Sequence, residues 1–465
     1  MCGAISVLFF ATPILSDERG TAGRGLRGPA STGPARASRL GLAGIIAIAA
    51  LLRFAFIGTK NLDVDEVTSL TYIRHGWTAF LAAVASDPNM ALYYVILWPW
   101  ARLGDSAVTL RSLSIIPAVA TLPVVYALGH RLFDRRVGLI AVGLLSVNAY
   151  HIAYSQTARG YSLAVLLITL SSWFFARGIE NRSWPDWAGY VLTSVLAIYS
   201  HLFSAFALLG QWGSLALFPV RHIPWKRLVV SGVLIASLSV PFLVLMVTRP
   251  QYQAEQLTWH LQGNLKDVIG LFYDLTGGAD TRTALLRAPF GAYLLVCLIA
   301  TADAAKLWAS GKGSREGWYY GLLLGWLWIP ILITTAIGLA VKPVFIRRYL
   351  LVCQPALVLL AAAGLSQIRP RWLLAAALAI FVSLGLYGTY HYYTDAPYDN
   401  AQDGGMALSR VTIADSGESV EPILAPRRSK MPPQAMHDLD RIGQPSIPLL
   451  GTQLHRHQTL RLPDT

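Results

Sequence analysis

Long apolar segments alternate with short polar loops along the chain between residues 40 and 390. Runs of about 18 or more apolar residues have the length of a helix that spans a lipid bilayer. Open sheets leave backbone groups unpaired in lipid, and a β-barrel shows shorter alternating segments. The pattern therefore predicts an all-α polytopic membrane protein with about eleven transmembrane helices. The predicted spans cover residues 40–58, 108–129, 137–154, 161–176, 187–199, 202–219, 228–248, 288–308, 318–340, 349–366 and 372–390.

One apolar segment, Met90–Leu103, is too short to cross a bilayer comfortably and contains Pro99. We predict that it forms a juxtamembrane helix within a long first extracytoplasmic loop, Lys60–Thr109. If it were a span, the basic cluster His130–Arg136 would lie outside the cell. That placement would contradict the tendency of Lys and Arg to mark the cytoplasmic face.

Composition and charge support the membrane assignment. Hydrophobic residues make up 54% of the chain and charged residues only 14%, whereas soluble domains carry about 25% charged residues. The net charge of +13 lies largely in short loops between apolar segments, so it indicates membrane orientation and predicts no nucleic-acid partner. The amino end is predicted to be cytoplasmic. The three cysteines, Cys2, Cys297 and Cys353, form no spaced cluster that would indicate disulfides or zinc.

Three regions are predicted. Residues 1–39 include a stretch rich in Gly, Ala, Ser and Arg and are expected to form a disordered basic cytoplasmic arm. Residues 40–390 form the transmembrane domain. Residues 391–465 have poor periodicity and are expected to be a poorly ordered extracytoplasmic tail.

The motif Asp63-Val64-Asp65-Glu66 follows the first predicted span. Carboxylates beside a bilayer are costly to desolvate and are usually kept for a function. The alternative is a helix amino-terminal cap, because an Asp at a turn followed by acids in the first helical turn suits the helix dipole. Both interpretations stay open on this motif alone.

Cationic residues recur on the face that is predicted to be extracytoplasmic. Arg159 lies in a very short loop, and the group Lys342, Arg347 and Arg348 opposes the orientation bias. Such cations at a membrane surface suit a lipid-linked phosphate, although Lys and Arg at span ends also extend toward head groups. His201 lies on the same face, where a structural role is the more common one.

A set of short motifs, in this order and on this face, resembles one family. The motifs are Asp65-Glu66, Pro88, Leu92-Tyr93-Tyr94, Leu110-Arg111-Ser112-Leu113-Ser114, Tyr154–Ser162, Tyr199-Ser200-His201 and Arg347-Arg348-Tyr349-Leu350. The combination resembles the GT-C glycosyltransferases, specifically glycosyltransferase family 39, the bacterial relatives of protein O-mannosyltransferases and lipid A aminoarabinose transferases. The resemblance covers about residues 40–390. The tail departs from it, and Asp87 stands where many relatives have a histidine.

The resemblance implies transfer of a sugar from a polyprenyl-phosphate carrier to a hydroxyl of a glycan, lipid or protein acceptor, with inversion, on the extracytoplasmic face of the bacterial inner membrane. Asp65 is the expected general base and Glu66 its orienting or substrate-binding partner. Between Arg347 and Arg348, Arg348 is favoured because it precedes Tyr349, as in the family's Arg-Tyr pair. The expected donor-phosphate ligands are Arg159, Lys342, Arg347 and Arg348, and the expected substrate-binding residues are Asp63, Asp87, Tyr93, Tyr161 and His201.

Other functions stay open. The Asp63-Val64-Asp65 spacing is compatible with Mg²⁺ or Mn²⁺, but Arg and Lys can neutralise a monophosphate, so no metal and no cofactor are predicted. A transporter of envelope precursors would be expected to show internal repeats and midplane charges, and the sequence shows no repeat. A non-catalytic polyprenyl-lipid binding protein is the remaining alternative.

Overall fold

The computed structural model describes residues 33–218, 220, 222–248, 263–278, 284–310, 315–340 and 344–394. These residues all belong to one compact unit, Met1–Gln402, and a second unit, Asp403–Thr465, lies outside them. The described residues form sixteen α-helices and no β-strand. The helices are α1 (Gly33–Phe54), α2 (Val64–Arg74), α3 (Trp77–Ser86), α4 (Ala91–Trp100), α5 (Ala107–Leu132), α6 (Arg135–Ser146), α7 (Ala149–Ser155), α8 (Tyr161–Asn181), α9 (Trp184–Ser200), α10 (Ser204–Leu217), α11 (Trp225–Thr248), α12 (Leu265–Leu275), α13 (Ala284–Ala309), α14 (Arg315–Ala340), α15 (Gln354–Ser366) and α16 (Arg371–Thr394).

The all-helical membrane architecture confirms the predicted fold class. Seven of the described helical segments are long and apolar enough to cross a membrane: α5, α8, α11, α13, α14, α16, and α15 together with the 3-10 helix Arg347–Cys353 before it. Among the other predicted spans, α9 has 17 residues and α10 has 14, and the apolar part of α1 is Leu40–Phe54. The number eleven therefore stays a prediction.

The predicted third span, 137–154, is broken. Helices α6 and α7 meet at an angle of 64°, because Asn148 caps α7 by accepting a hydrogen bond from the His151 backbone N–H at 3.0 Å. The buried Asn148 amide also donates to the Leu275 carbonyl at 3.0 Å, and Gln354 donates to its oxygen at 2.8 Å. Asn148 thus has one partner within α7 and two in distant segments, so the break is a fixed feature of the fold.

The predicted first extracytoplasmic loop folds into the short helices α2, α3 and α4. They have 11, 10 and 10 residues, which correspond to rises of about 15–17 Å, roughly half the hydrocarbon thickness. None of the three can cross the bilayer, as predicted for Met90–Leu103. Helix α4 buries Tyr93, Tyr94 and Leu97 and packs against α5, so the loop is anchored to the helical bundle.

The two ends of the predicted domain differ slightly from expectation. Helix α1 begins at Gly33, before the predicted first span, and residues 1–32 of the predicted amino-terminal arm lie outside the described residues. Helix α16 continues to Thr394, and the rest of the predicted tail is also outside the described residues.

Membrane orientation can be tested by cysteine labelling. Tyr392, at the end of α16, donates a hydrogen bond to Gln156, so Arg371 at the start of α16 lies at the bundle end opposite Asp105. In a variant with the native cysteines replaced by alanine, Asp105→Cys should react with a membrane-impermeant maleimide in intact cells. Arg371→Cys should react only after the cells are permeabilised. Labelling of Arg371→Cys, but not of Asp105→Cys, in intact cells would contradict the predicted topology.

Candidate active site

The acidic motif begins helix α2 as a capping box. The Asp63 side chain accepts a hydrogen bond from the Glu66 backbone N–H at 2.6 Å, and the Glu66 carboxylate accepts from the Asp63 N–H at 3.1 Å. This reciprocal arrangement satisfies two backbone donors that a helix leaves unpaired at its start. The capping interpretation is therefore confirmed for Asp63 and Glu66. Asp65 takes no part in this capping box.

Glu66 and Arg111 form a buried ion pair behind the motif. Arg111 donates through Nε and Nη2 to the two Glu66 oxygens at 2.8 and 2.6 Å, and the two side chains are only 5% and 2% exposed. The same guanidinium donates to three backbone carbonyls, those of Ile57, Lys60 and Asn61. Because both Glu66 oxygens accept hydrogen bonds from protein donors, Glu66 has little capacity to contact a further group.

The loop 156–160 is held by hydrogen bonds to the first turns of α2 and by close packing against Ser200. The Ala158 N–H donates to Glu66 at 2.8 Å, and Ser69 donates to the Ala158 carbonyl at 3.0 Å. On the far side, a Cβ on Gly160 would lie 2.9 Å from the Ser200 carbonyl oxygen. The loop therefore has little freedom to move, and it fixes the position of Arg159.

Asp65 lies between two arginines. Its carboxylate is 3.3 Å from Arg348 Nη2 and 3.9 Å from Arg159 Nη2, and its side chain remains 30% exposed. Burial would raise the pKa of Asp65, but the charges of Arg159 and Arg348 outweigh it and hold this pKa below its ordinary value. The structure thus brings together three residues that the sequence placed far apart.

The adjacent arginines Arg347 and Arg348 contact different carboxylates. Arg347 Nη1 lies 3.2 Å from the buried Asp274 of α12, whereas Arg348 contacts Asp65. Both arginines start the 3-10 helix Arg347–Cys353. Only Arg348 faces the acidic motif. The third predicted phosphate ligand of this group, Lys342, lies outside the described residues.

Aromatic rings surround the charged cluster. Tyr349 contacts His201 with ring centroids 4.6 Å apart, and Tyr161 lies 5.6 Å from His201. The His201 Nδ1 atom accepts from the Phe203 N–H at 3.3 Å, which assigns the hydrogen to Nε2. Burial, aided by Arg159 and Arg348, lowers the pKa of His201 to about 3, so the ring is neutral. Within the described residues, the buried His201 Nε2 and Tyr161 hydroxyl have no hydrogen-bond partner.

The other predicted substrate-binding residues are distributed unevenly. Tyr93 does not join the charged cluster, because its hydroxyl pairs with Ser114 at 2.8 Å. The neighbouring Tyr94, which sequence reasoning did not single out, accepts a hydrogen bond from Arg159. Asp87 ends α3, and its charge adds to burial in raising the pKa of Tyr72. Adjacent helical residues point about 100° apart, so sequence alone could not choose between Tyr93 and Tyr94.

Asp63 lines a separate small cavity of about 20 Å³, which it shares with Lys60, Glu66 and Arg111. Burial, with the nearby carboxylates Glu66 and Asp65, raises the pKa of Asp63 to about 7. That value suits a general base near neutral pH, but the cavity has room for about one water molecule. This cavity is too small to hold a sugar acceptor beside Asp63.

Within the described part of the chain, no three His, Cys, Asp or Glu side chains are grouped so that they could hold a metal ion. The absence of a catalytic metal stays a prediction.

Comparisons with known proteins show which proteins this chain is similar to. Residues 86–246 match the family model described as dolichyl-phosphate-mannose-protein mannosyltransferase. The chain is similar to ArnT from Cupriavidus metallidurans in the apo state, with 13% identity, a TM-score of 0.57, and coverage of 79% of this chain and 78% of that chain. The ArnT structure bound to undecaprenyl phosphate gives 14% identity, a TM-score of 0.52, and coverage of 80% and 78%. No curated protein matches the sequence.

Residues 86–246 thus resemble the mannosyltransferase family model, and the chain shares the all-helical membrane fold of ArnT. The resemblance drawn from the short motifs is confirmed at this level. The roles of individual residues stay predictions.

The Glu66–Arg111 pair can be tested through stability. Glu66→Gln should destabilise the protein by about 3 kcal/mol or more, because a buried charge left without its partner is costly. Arg74→Gln is the matched control, since Arg74 and Asp105 form an exposed pair with side chains 51% and 60% exposed; such pairs contribute about 0–1 kcal/mol. Thermal unfolding of the purified protein in detergent measures both. Equal midpoints for the two variants would contradict the structural role.

Proposed function

We propose that this protein transfers a sugar from a polyprenyl-phosphate-linked donor to an acceptor hydroxyl at the membrane face that carries Asp65. The observation that carries the proposal is the partly exposed Asp65 carboxylate between Arg348 and Arg159. A carboxylate base and a pair of phosphate-binding guanidiniums are the two chemical groups that such a transfer needs.

Arg348 and Arg159 are the proposed ligands of the donor phosphate. A guanidinium can bind two phosphate oxygens through parallel N–H donors, and the buried Arg159 Nε has no hydrogen-bond partner among the described residues. The Tyr161 hydroxyl and His201 Nε2–H add neutral donors beside the same cluster. The undecaprenyl phosphate in the ArnT structure supports a donor of this chemical type.

Donor binding is proposed to activate Asp65. Without donor, Arg159 and Arg348 hold the pKa of Asp65 low, and a carboxylate with a low pKa accepts a proton poorly. A phosphate that draws both guanidiniums toward its own oxygens weakens their effect on Asp65. The pKa of Asp65 then rises because its burial is no longer offset. The base therefore becomes competent only when a donor is present.

The transfer itself is a single displacement. The acceptor oxygen bonds to the anomeric carbon while the bond from that carbon to the phosphate oxygen breaks. The acceptor proton passes to Asp65, and the polyprenyl phosphate leaves with its negative charge held by Arg159 and Arg348. Attack from the face opposite the leaving group inverts the anomeric configuration. Glu66 holds the acidic motif in place, and no resident metal or cofactor is invoked.

Asp65→Asn separates base catalysis from donor binding. Turnover should fall by roughly 10² or more because the proton acceptor is lost. Undecaprenyl phosphate should bind at least as tightly, because a competing counter-ion of Arg159 and Arg348 is removed. Binding can be measured by native mass spectrometry, and turnover by mass spectrometry of envelope glycans and glycoproteins from cells carrying only the variant.

Asp63→Asn is the matched control for this experiment, since asparagine is also a good helix cap. It should retain most of the activity. Loss of activity in Asp63→Asn, with near-normal activity in Asp65→Asn, would move the base to Asp63. If both variants, and a strain that lacks the protein altogether, left the envelope glycans unchanged, the protein would instead be a non-catalytic lipid-binding protein.

The two adjacent arginines should respond differently to replacement by lysine. Arg348→Lys keeps the charge but loses the planar pair of donors, so the Kd for undecaprenyl phosphate should rise about tenfold, the order expected for one charged hydrogen bond. Arg347→Lys should leave that Kd within about twofold, because Arg347 contacts Asp274 instead. Equal effects of the two changes on this Kd would contradict the assignment of Arg348 to the phosphate.

A further inference from the structure

An open groove of about 560 Å³ lies at the end of the bundle opposite Asp65. Helix α8 runs from Tyr161, beside the active site, to Asn181, and Arg182 follows it directly. Helix α9 begins nearby at Trp184 and returns to Ser200, next to His201. The groove is therefore separated from Asp65 by the length of one such helix, about 25–30 Å.

The groove is cationic and aromatic. Its lining includes Arg182, His222, Lys226 and Arg227, together with two tryptophans, and none of the described residues that line it is acidic. The three permanent cations thus face one space without a carboxylate among its walls. A cluster of this kind attracts a compact anionic group such as a phosphate.

Two tryptophans place the groove at the level of lipid head groups. Trp184 is 50% exposed and Trp225 is 59% exposed, and each is the first residue of a helix that contains a predicted membrane span. Tryptophan is enriched at this depth because its ring is apolar and its N–H is polar. The Arg227 guanidinium lies 5.4 Å from the Trp184 ring centroid, so one cation is held against one wall of the groove.

The backbone at the groove is held in an uncommon conformation. Arg182 and His222 have φ angles of +52° and +65°, and only Phe56 and Met90 share this feature among the other non-glycine residues that the structure describes. Glycine is the usual residue at such positions. The Arg182 side chain donates through Nη2 to the His222 carbonyl at 2.9 Å and joins the two turns. Strained positions of this kind concentrate at binding sites.

From these observations we propose that the groove binds the phosphate head group of an anionic phospholipid in the leaflet opposite the active site. The tryptophans contact the glycerol and upper acyl chains, while Arg182, Lys226 and Arg227 surround the phosphate. Orientation by the charge of loops predicts that this leaflet is the cytoplasmic one, which carries the anionic lipids. The proposal does not depend on sugar transfer.

The test compares two double variants of the full-length protein by native mass spectrometry. Lys226→Gln/Arg227→Gln removes two groove cations. Arg369→Gln/Arg371→Gln removes two exposed arginines that lie at the same end of the bundle but outside the groove. Each variant is titrated with dioleoyl phosphatidylglycerol and, separately, with dioleoyl phosphatidylcholine.

The groove variant should bind phosphatidylglycerol roughly thirtyfold more weakly, because each basic residue at an anionic surface contributes about fivefold in affinity. The Arg369/Arg371 control should stay within about threefold of the wild type, and inorganic phosphate should not displace the lipid. Two single variants are compared in addition. Lys226→Glu should weaken the binding of phosphatidylglycerol further than Lys226→Gln.

Three outcomes would overturn the proposal. Equal losses in the two double variants would show that only the total surface charge attracts the lipid. Equal retention of phosphatidylglycerol and phosphatidylcholine would show that the head group is not recognised. Displacement by inorganic phosphate would show a site for free phosphate. Unchanged thermal unfolding midpoints in all variants ensure that the readout reports binding.

Discussion

The buried ion pair between Glu66 and Arg111 is the interaction on which the active site depends. It joins the start of α2 to α5, and through Ala158 it also joins the loop that carries Arg159. A charge pair with side chains at most 5% exposed is tolerated only when its remaining hydrogen bonds are satisfied, and backbone carbonyls and N–H groups satisfy them here. These contacts occupy both oxygens of Glu66, whereas the neighbouring Asp65 side chain stays 30% exposed.

The charges around Asp65 form a second layer, which is more exposed than the Glu66–Arg111 pair. The Asp65 carboxylate lies between Arg159 and Arg348 and offsets the repulsion between these two guanidiniums. The Asp274–Arg347 contact keeps the neighbouring arginine occupied elsewhere. Residues that are adjacent in sequence therefore have different contacts, both in the acidic motif and in the Arg347-Arg348 pair.

Much of the architecture follows from the hydrophobic pattern alone. Burial in lipid imposes backbone hydrogen bonding within each segment. The length of each apolar segment was therefore enough to locate the long helices and to predict that Met90–Leu103 does not span the membrane. The break at Asn148 was not predicted because it depends on tertiary contacts. The Asn148 amide pairs with Leu275 and Gln354, and no local sequence pattern indicates these distant partners. Similarly, the acidic motif indicated a site, but only packing could decide which carboxylate faces Arg348, and whether Tyr93 or Tyr94 meets Arg159.

The contact between Asp65 and Arg348 has a consequence for biogenesis. Asp65 belongs to the first loop of the chain, whereas Arg348 enters the membrane with one of the last helices. During synthesis, every helix up to α14 can be inserted while the cluster still lacks one of its arginines. A nascent chain therefore carries Asp65 and Arg159 without Arg348 until the segment before α15 is in place, so the charged cluster is complete only on a nearly finished protein.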